Sequence, residues 1–188
     1  MIIPNLLLIA GTGTKSGKTS MACRIIESFP DMGITAIKIT PHFHETTSGL
    51  LLKSEKKGYA IYEETNSDTS KDTSRMLKAG AVKVYFAKVW DDQLSEVFKE
   101  IIKEVPFGTP VICESPALRN FVEPGLFIIM TSDTINKHKD IDHLLKLPHL
   151  MVKLEELQNI DTLPIGFGDG NWHILPPGRF ASFPLKGD

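Results

Sequence analysis

The stretch LLLIAGTGTKSGKTS, Leu6 to Ser20, limits what this chain can fold into more than any other. Leu6 to Ala10 is a continuous apolar run closed by glycines, which predicts a strand of a parallel sheet covered on both faces. From Lys18 the apolar residues Met21, Ala22, Ile25 and Ile26 recur at helical spacing. Pro30 and Gly33 stop that helix, and Ile34 to Ile39 begins a second apolar strand. Strand, glycine-rich turn, helix and strand form a βαβ unit, and such a unit demands parallel strands with a helix packed across them.

The turn has a chemistry of its own. In an anion-holding loop, consecutive backbone N–H groups point inward, a lysine reaches terminal phosphates and the hydroxyl after it holds magnesium. Gly17, Lys18 and Thr19 supply that ending, and the helix that starts there adds its dipole and free N–H groups. The pattern GxxxxGK[ST] asks for glycine at position 12, where this chain has Thr12 between Gly11 and Gly13. Thr12, Gly13, Thr14, Lys15, Ser16, Gly17, Lys18, Thr19 and Ser20 are the expected phosphate-contacting set, with ATP or GTP and Mg²⁺ as the ligands.

Further on, Thr40 to Gly58 is polar and predicts an irregular loop, followed by a strand at Tyr59 to Glu63 and a loop rich in Ser, Thr and Asp. Thr73 to Ala79 predicts a short helix stopped by Gly80, and Lys83 to Val89 a strand. Leu94, Val97, Phe98, Ile101 and Ile102 mark an amphipathic helix. Pro110 to Ser115 and Gly125 to Met130 predict two more buried strands. After Lys146 the pattern weakens, although Phe167 to Ile174 predicts a tight hairpin turning at Asp169 and Gly170. Strands alternate with helices throughout, so the expected architecture is one α/β domain over residues 1–188, with a mostly parallel sheet and helices on both faces.

Composition narrows the partners. With 21 Lys and Arg against 23 Asp and Glu, the formal net charge is -2, so no global field draws the chain to nucleic acid or an anionic membrane. No apolar run is long enough to span a bilayer. The opening residues have no basic region before them and read as a core strand rather than a signal peptide. Cys23 and Cys113 are too far apart for a zinc knuckle, and a reducing cytoplasm is the simplest expected setting.

A nucleotide site also needs an acidic residue at the end of a neighbouring strand, to hold Mg²⁺ with Thr19. Glu114 closes the run PVICES and is that candidate. A third carboxylate, Asp68 or Asp72, comes from the loop NSDTSKD, with Asp72 favoured. Lys38 leaves the second strand and can neutralise substrate or phosphate charge. His42, His44 and Glu45 form a polar cluster able to ligate a metal or meet a substrate, and Lys53, Lys56 and Lys57 read as a solvated basic face. NKHKD, Asn136 to Asp140, has the aspartate one residue late for a guanine-reading N-K-x-D.

GTGTKSGKT has the layout of the GTDTxxGKT loop of the dethiobiotin synthetase family, and the chain resembles that family there. KDTSRMLKAGA, Lys71 to Ala81, resembles the GKDSxRxxxAGA segment of MobB-type proteins, the nucleotide-binding adaptors of molybdenum-cofactor guanylation. ITAIKITPHFH, Ile34 to His44, is similar to their ATIKHxHH strand and loop. Glu114 falls where both families carry the Glu of VEG, with Ser115, Pro116 and Ala117 in place of glycines. The resemblance implies a three-layer P-loop NTPase fold and Mg²⁺-dependent binding of ATP or GTP. It gives Lys18, Lys38 and Asp72 catalytic parts and Thr19, Glu114 and Asp72 metal-side parts. It also implies a homodimer with substrate sites near the subunit contact. Two functions follow from it, an accessory role in cofactor biosynthesis as in the adaptors, or an ATP-dependent ligase as in the synthetases. A degenerate P-loop domain that only binds partners is the third.

Overall fold

The structure, a computed structural model, describes residues 1–43, 46–134, 140–157, 162–176 and 181–182, the last two and residue 162 by backbone alone. Strand β1 (Ile2–Gly11) leads into helix α1 (Lys18–Ser28) and strand β2 (Thr35–Thr40), so the βαβ unit forms as its sequence requires. Then follow β3 (Leu50–Lys56), β4 (Tyr59–Glu64), α2 (Asp72–Lys78), β5 (Lys83–Val89), α3 (Leu94–Lys103), β6 (Val111–Glu114) and β7 (Glu123–Thr131). The remainder contains α4 (Asp142–Leu145), β8 (Leu150–Lys153), α5 (Leu154–Leu157), β9 (Thr162–Leu163), β10 (Ile165–Gly168), β11 (Asn171–Ile174) and β12 (Ala181–Ser182).

Eight strands make one sheet in the order β3-β4-β5-β2-β6-β1-β7-β8. The six from β5 to β8 in that order run parallel, and β4 and β3 close one edge antiparallel to their neighbours. The central strands are apolar on both sides because both sides are covered. Leu6, Leu8 and Ala10 point to one face, where α3 presents Leu94, Val97, Phe98 and Ile101. Leu7 and Ile9 point to the other, where Met21, Ala22, Ile25 and Ile26 of α1 meet Met76 of α2. Helices therefore lie on both faces of a mostly parallel sheet, and the carboxyl ends of β1, β2 and β6 come out side by side between them. Open α/β sheets bind ligands at such an edge.

The structure corrects the reading of Thr40 to Gly58 as irregular, because Leu50–Lys56 is a strand paired antiparallel with β4. It left little apolar pattern because it sits at the sheet edge with most side chains in solvent, Leu51 and Leu52 among them. The Lys57-Gly58 turn, with Gly58 at φ +94°, makes the hairpin. The weak pattern after Lys146 likewise conceals β8, a short parallel partner of β7. The expected hairpin at Phe167 to Ile174 is present as β10 and β11, and Asp169 (φ +51°) and Gly170 (φ +73°) form its two-residue turn. Trp172, 2% exposed, anchors that hairpin in the core against the edges of Phe29 and Phe167.

Candidate functional site

The residues between β1 and α1 wrap around the first turn of the helix. Gly17 caps α1 in the left-handed conformation, Lys15 is also left-handed at φ +63°, and the Met21 N–H donates to the Gly17 carbonyl to begin the helical ladder. No side chain caps this N-terminus and no acidic residue occupies its first turn. Its early N–H groups and its dipole are therefore available to an anion. The loop folds tightly enough that a Cβ on Gly11 would meet the Ser16 hydroxyl at 2.1 Å. Lys18 turns its ammonium back over the loop, donating to the Gly13 carbonyl at 3.2 Å and to Ser16 Oγ at 3.3 Å.

A cleft of about 670 Å³ opens above this turn. Of the residues expected to contact phosphate, Thr14, Lys15, Gly17, Lys18, Thr19 and Ser20 line it. Thr12, Gly13 and Ser16 do not. The Thr12 N–H instead donates to the Met130 carbonyl of β7, its hydroxyl faces Thr131, and Ser16 is fully buried inside the turn.

The rest of the lining comes from three strand or helix ends. Lys38 and Glu114 are partners in the register of β2 and β6, and Asp72 is the first residue of α2. The Lys38 ammonium donates to Asp72 Oδ2 and to Glu114 Oε1, the latter at 3.1 Å. Glu114 Oε2 accepts the Thr19 hydroxyl at 2.8 Å. Burial opposes the Lys38 charge, but Glu114 and Asp72 outweigh it and hold the ammonium above the ordinary lysine range. Burial also works against the Asp72 charge, yet the adjacent Lys38, with help from Thr19 and Arg75, keeps its carboxyl below the usual carboxylate value. Asp72 lines the cleft, and the cap position of α2 is Lys71, with no side-chain cap bond.

Asp68 does not line the cleft, and its N–H is engaged by the Asn66 side chain. His42 does line it, while His44 and Glu45 lie outside the described residues. Among the described residues no three His, Cys, Asp or Glu side chains gather as a metal cage. Thr19 and Glu114 still form a fitting donor pair for a small hard cation, which takes few protein oxygens when phosphates and waters complete its shell. Four of the five residues from Asn136 to Asp140 also lie outside the described set. Burial pushes the thiol of Cys23, on α1, up to about 11 despite the nearby Arg75.

Among the lining residues that the sequence did not single out, Arg75 and Leu154 stand nearest the loop and α2. Arg75 follows Asp72 by one helical turn, lies 3.8 Å from its carboxylate and donates to the Ser20 hydroxyl at 3.2 Å, so it bridges α2 and the start of α1. Its position three residues after an acidic helix start was the available signal. Leu154, at the start of α5, packs over Gly17, and nothing local in its sequence marks it. Comparison with protein-family models, with curated proteins and with solved structures finds no match to this chain.

Proposed function

We propose that this chain is a P-loop protein that binds a Mg²⁺-nucleoside triphosphate, ATP or GTP, in the 670 Å³ cleft and hydrolyses or transfers its terminal phosphoryl group. The single observation that carries this reading is the contact between Thr19, the hydroxyl after the loop lysine, and Glu114, the strand-end carboxylate, at 2.8 Å. Those two side chains come from sites 95 residues apart and have the donor chemistry of a magnesium pair. Mg²⁺ would supply charge neutralisation and orientation for the phosphates when bound. The loop N–H groups and Lys18 hold the phosphates, Lys38 and Arg75 add positive charge along the same cleft, and Asp72 orients Lys38. Phosphoryl transfer asks for little more than such positioning.

An accessory role in cofactor biosynthesis, like that of the MobB-type adaptors, fits best, because α2, which lies in the segment through which the chain resembles them, presents Asp72 and Arg75 to the cleft. The ligase reading is weaker, because Pro116 and the buried Ser115 stand where the synthetases have glycines. As in both families, the working form is a homodimer. Light scattering at micromolar concentration checks this, and a mass of 20.9 kDa with or without nucleotide refutes it.

Thermal unfolding with Mg²⁺ and ATP, GTP or CTP tests the main reading. At about a hundred times the dissociation constant, the preferred nucleotide stabilises by roughly 2.7 kcal/mol. Lys18→Ala loses that shift, and Glu114→Gln keeps the fold while losing most of its Mg²⁺ dependence. A folded parent whose melting point no nucleotide moves refutes the proposal.

A further inference from the structure

Helix α2 is seven residues long and has two faces. Asp72 and Arg75 line the phosphate cleft, while Thr73 and Met76 are buried against the sheet side. Met76 packs in the apolar cluster with α1, and apolar packing is non-directional, so it fixes the rotation of so short a helix poorly. Ser74 accepts the Thr69 N–H at 2.9 Å, but Thr69 belongs to the loop that leads into α2, so this bond ties the helix only to its own approach. Among the described residues, the hydrogen bonds that reach α2 side chains from the sheet come from Lys38, which meets Asp72, and from Glu64, which meets Thr73.

Glu64 is the last residue of β4, it is 4% exposed, and no ion pair reaches it among the described residues. Each of its oxygens accepts one hydrogen bond, Oε2 from the Thr73 hydroxyl at 2.7 Å and Oε1 from the Asn66 N–H at 3.0 Å. The chain ahead of β3 closes over it. Gly49 lies at φ +101°, where a Cβ would come within 2.9 Å of Glu64 Oε1, and its carbonyl accepts both the N–H and the hydroxyl of Thr65, at 2.8 and 2.7 Å. A carboxyl group enclosed in this way is costly to bury and has little room to swing, so Thr73 is held at one fixed point of the sheet.

We propose that Glu64 is a positioning residue of the phosphate cleft. Through Thr73 it sets the rotation of α2, and with it the places at which Asp72 meets Lys38 and Arg75 meets Ser20. Thr73 and Asp72 are consecutive, about 100° apart around the helix axis, so a rotation that frees Thr73 also swings Asp72 and Arg75 out of their contacts. The placement does not depend on what the cleft binds. Its consequence for phosphoryl transfer rests on the nucleotide reading, in which Asp72 orients Lys38 and Arg75 adds positive charge.

The test uses the full chain without nucleotide and follows the Ser20 backbone amide shift, with Arg75→Ala as the reference for a lost contact to Ser20. Thr73→Val is isosteric and removes the hydroxyl. Its Ser20 signal is expected to move most of the way to the Arg75→Ala position, and adding Arg75→Ala should move it no further. Thr73→Ser keeps the hydroxyl and should leave the signal at the parent position, as should Glu64→Gln, because an amide can still pair with both Asn66 and Thr73. Glu64→Met together with Thr73→Val removes both partners at once, which leaves no orphaned carboxyl if the single variant unfolds, and should show the same displaced signal. A merely structural role lowers the melting point without moving Ser20 towards the Arg75→Ala position. A parent-like Ser20 signal in either folded variant, or a displaced one that Thr73→Ser shares, therefore overturns the proposal. With Mg²⁺-ATP or Mg²⁺-GTP, Thr73→Val should lose about tenfold in kcat with KM within about twofold of the parent, because the loop and Lys18 are untouched. An unchanged kcat in a variant whose Ser20 signal has moved overturns the link to phosphoryl transfer. If the parent turns over neither nucleotide, the nucleotide reading fails, and the Ser20 signal still decides the part of Glu64.

Discussion

Lys38 and Glu114 face one another across the parallel pair of β2 and β6, with the ammonium 3.1 Å from Glu114 Oε1. The same ammonium bonds Asp72 on α2, and the other Glu114 oxygen accepts the hydroxyl of Thr19 on α1. One cation therefore ties two strands and a helix together, and a second helix joins through Glu114. Only 7% of the Glu114 side chain is exposed, so its negative charge depends on Lys38 and Thr19 where water supplies little help.

Lys38→Met tests that dependence, because it keeps the apolar stem and removes the charge. Breaking a largely buried pair leaves an uncompensated carboxylate, and the expected loss is about 2–4 kcal/mol in urea unfolding. Adding Glu114→Gln should restore part of it, since the carboxylate left unpaired is then neutral. A single variant that unfolds at the parent's urea midpoint would show that the pair contributes nothing.

The Asp72 carboxyl brings acid sensitivity. Its folded value lies below its unfolded one, so as pH falls the unfolded chain takes up the proton first. The stability it contributes is complete well above pH 4, the ordinary aspartate range, and drains away as pH falls from there through the lower folded value. With 40% of the side chain exposed, solvent screening keeps the contribution small. Asp72→Asn should therefore be less stable than the parent at pH 7 and converge with it towards pH 2, in melting curves at constant ionic strength. A gap between the two proteins that stays constant over that interval would contradict the assignment.

Which parts of the molecule were legible follows from what each residue must satisfy locally. Leu6 to Ala10 reads as a central strand because both of its faces are buried, and Asp169-Gly170 reads as a turn because both residues must adopt positive φ. Leu50–Lys56 did not read as a strand, since at an edge its main-chain bonds to β4 hold it and its side chains carry little pattern. In the site, Lys18 and Thr19 are fixed by their spacing from Gly17. The three-way contact of Lys38, Asp72 and Glu114 depends on strand register and on where α2 docks, which no local spacing encodes. Thr12 shows the converse, a residue whose place in the loop suggests a phosphate contact but whose N–H is taken by Met130 on the adjacent strand.

Gly17 gives the last prediction. It starts α1 at φ +88°, a conformation that costs a residue with a Cβ about 1–2 kcal/mol. A Cβ there would also lie 2.6 Å from Leu154 Cδ1. That atom is the end of a flexible side chain and can step aside, so the backbone term is the larger one. Gly17→Ala should lower stability by about 1–2 kcal/mol, and Gly17→Asn should cost less, because asparagine enters the left-handed region more readily although its side chain is bulkier. If crowding by Leu154 dominated instead, asparagine would be the worse of the two. Chemical denaturation of both variants separates these cases, and an alanine variant as stable as the parent would mean that α1 can begin without a left-handed residue at position 17.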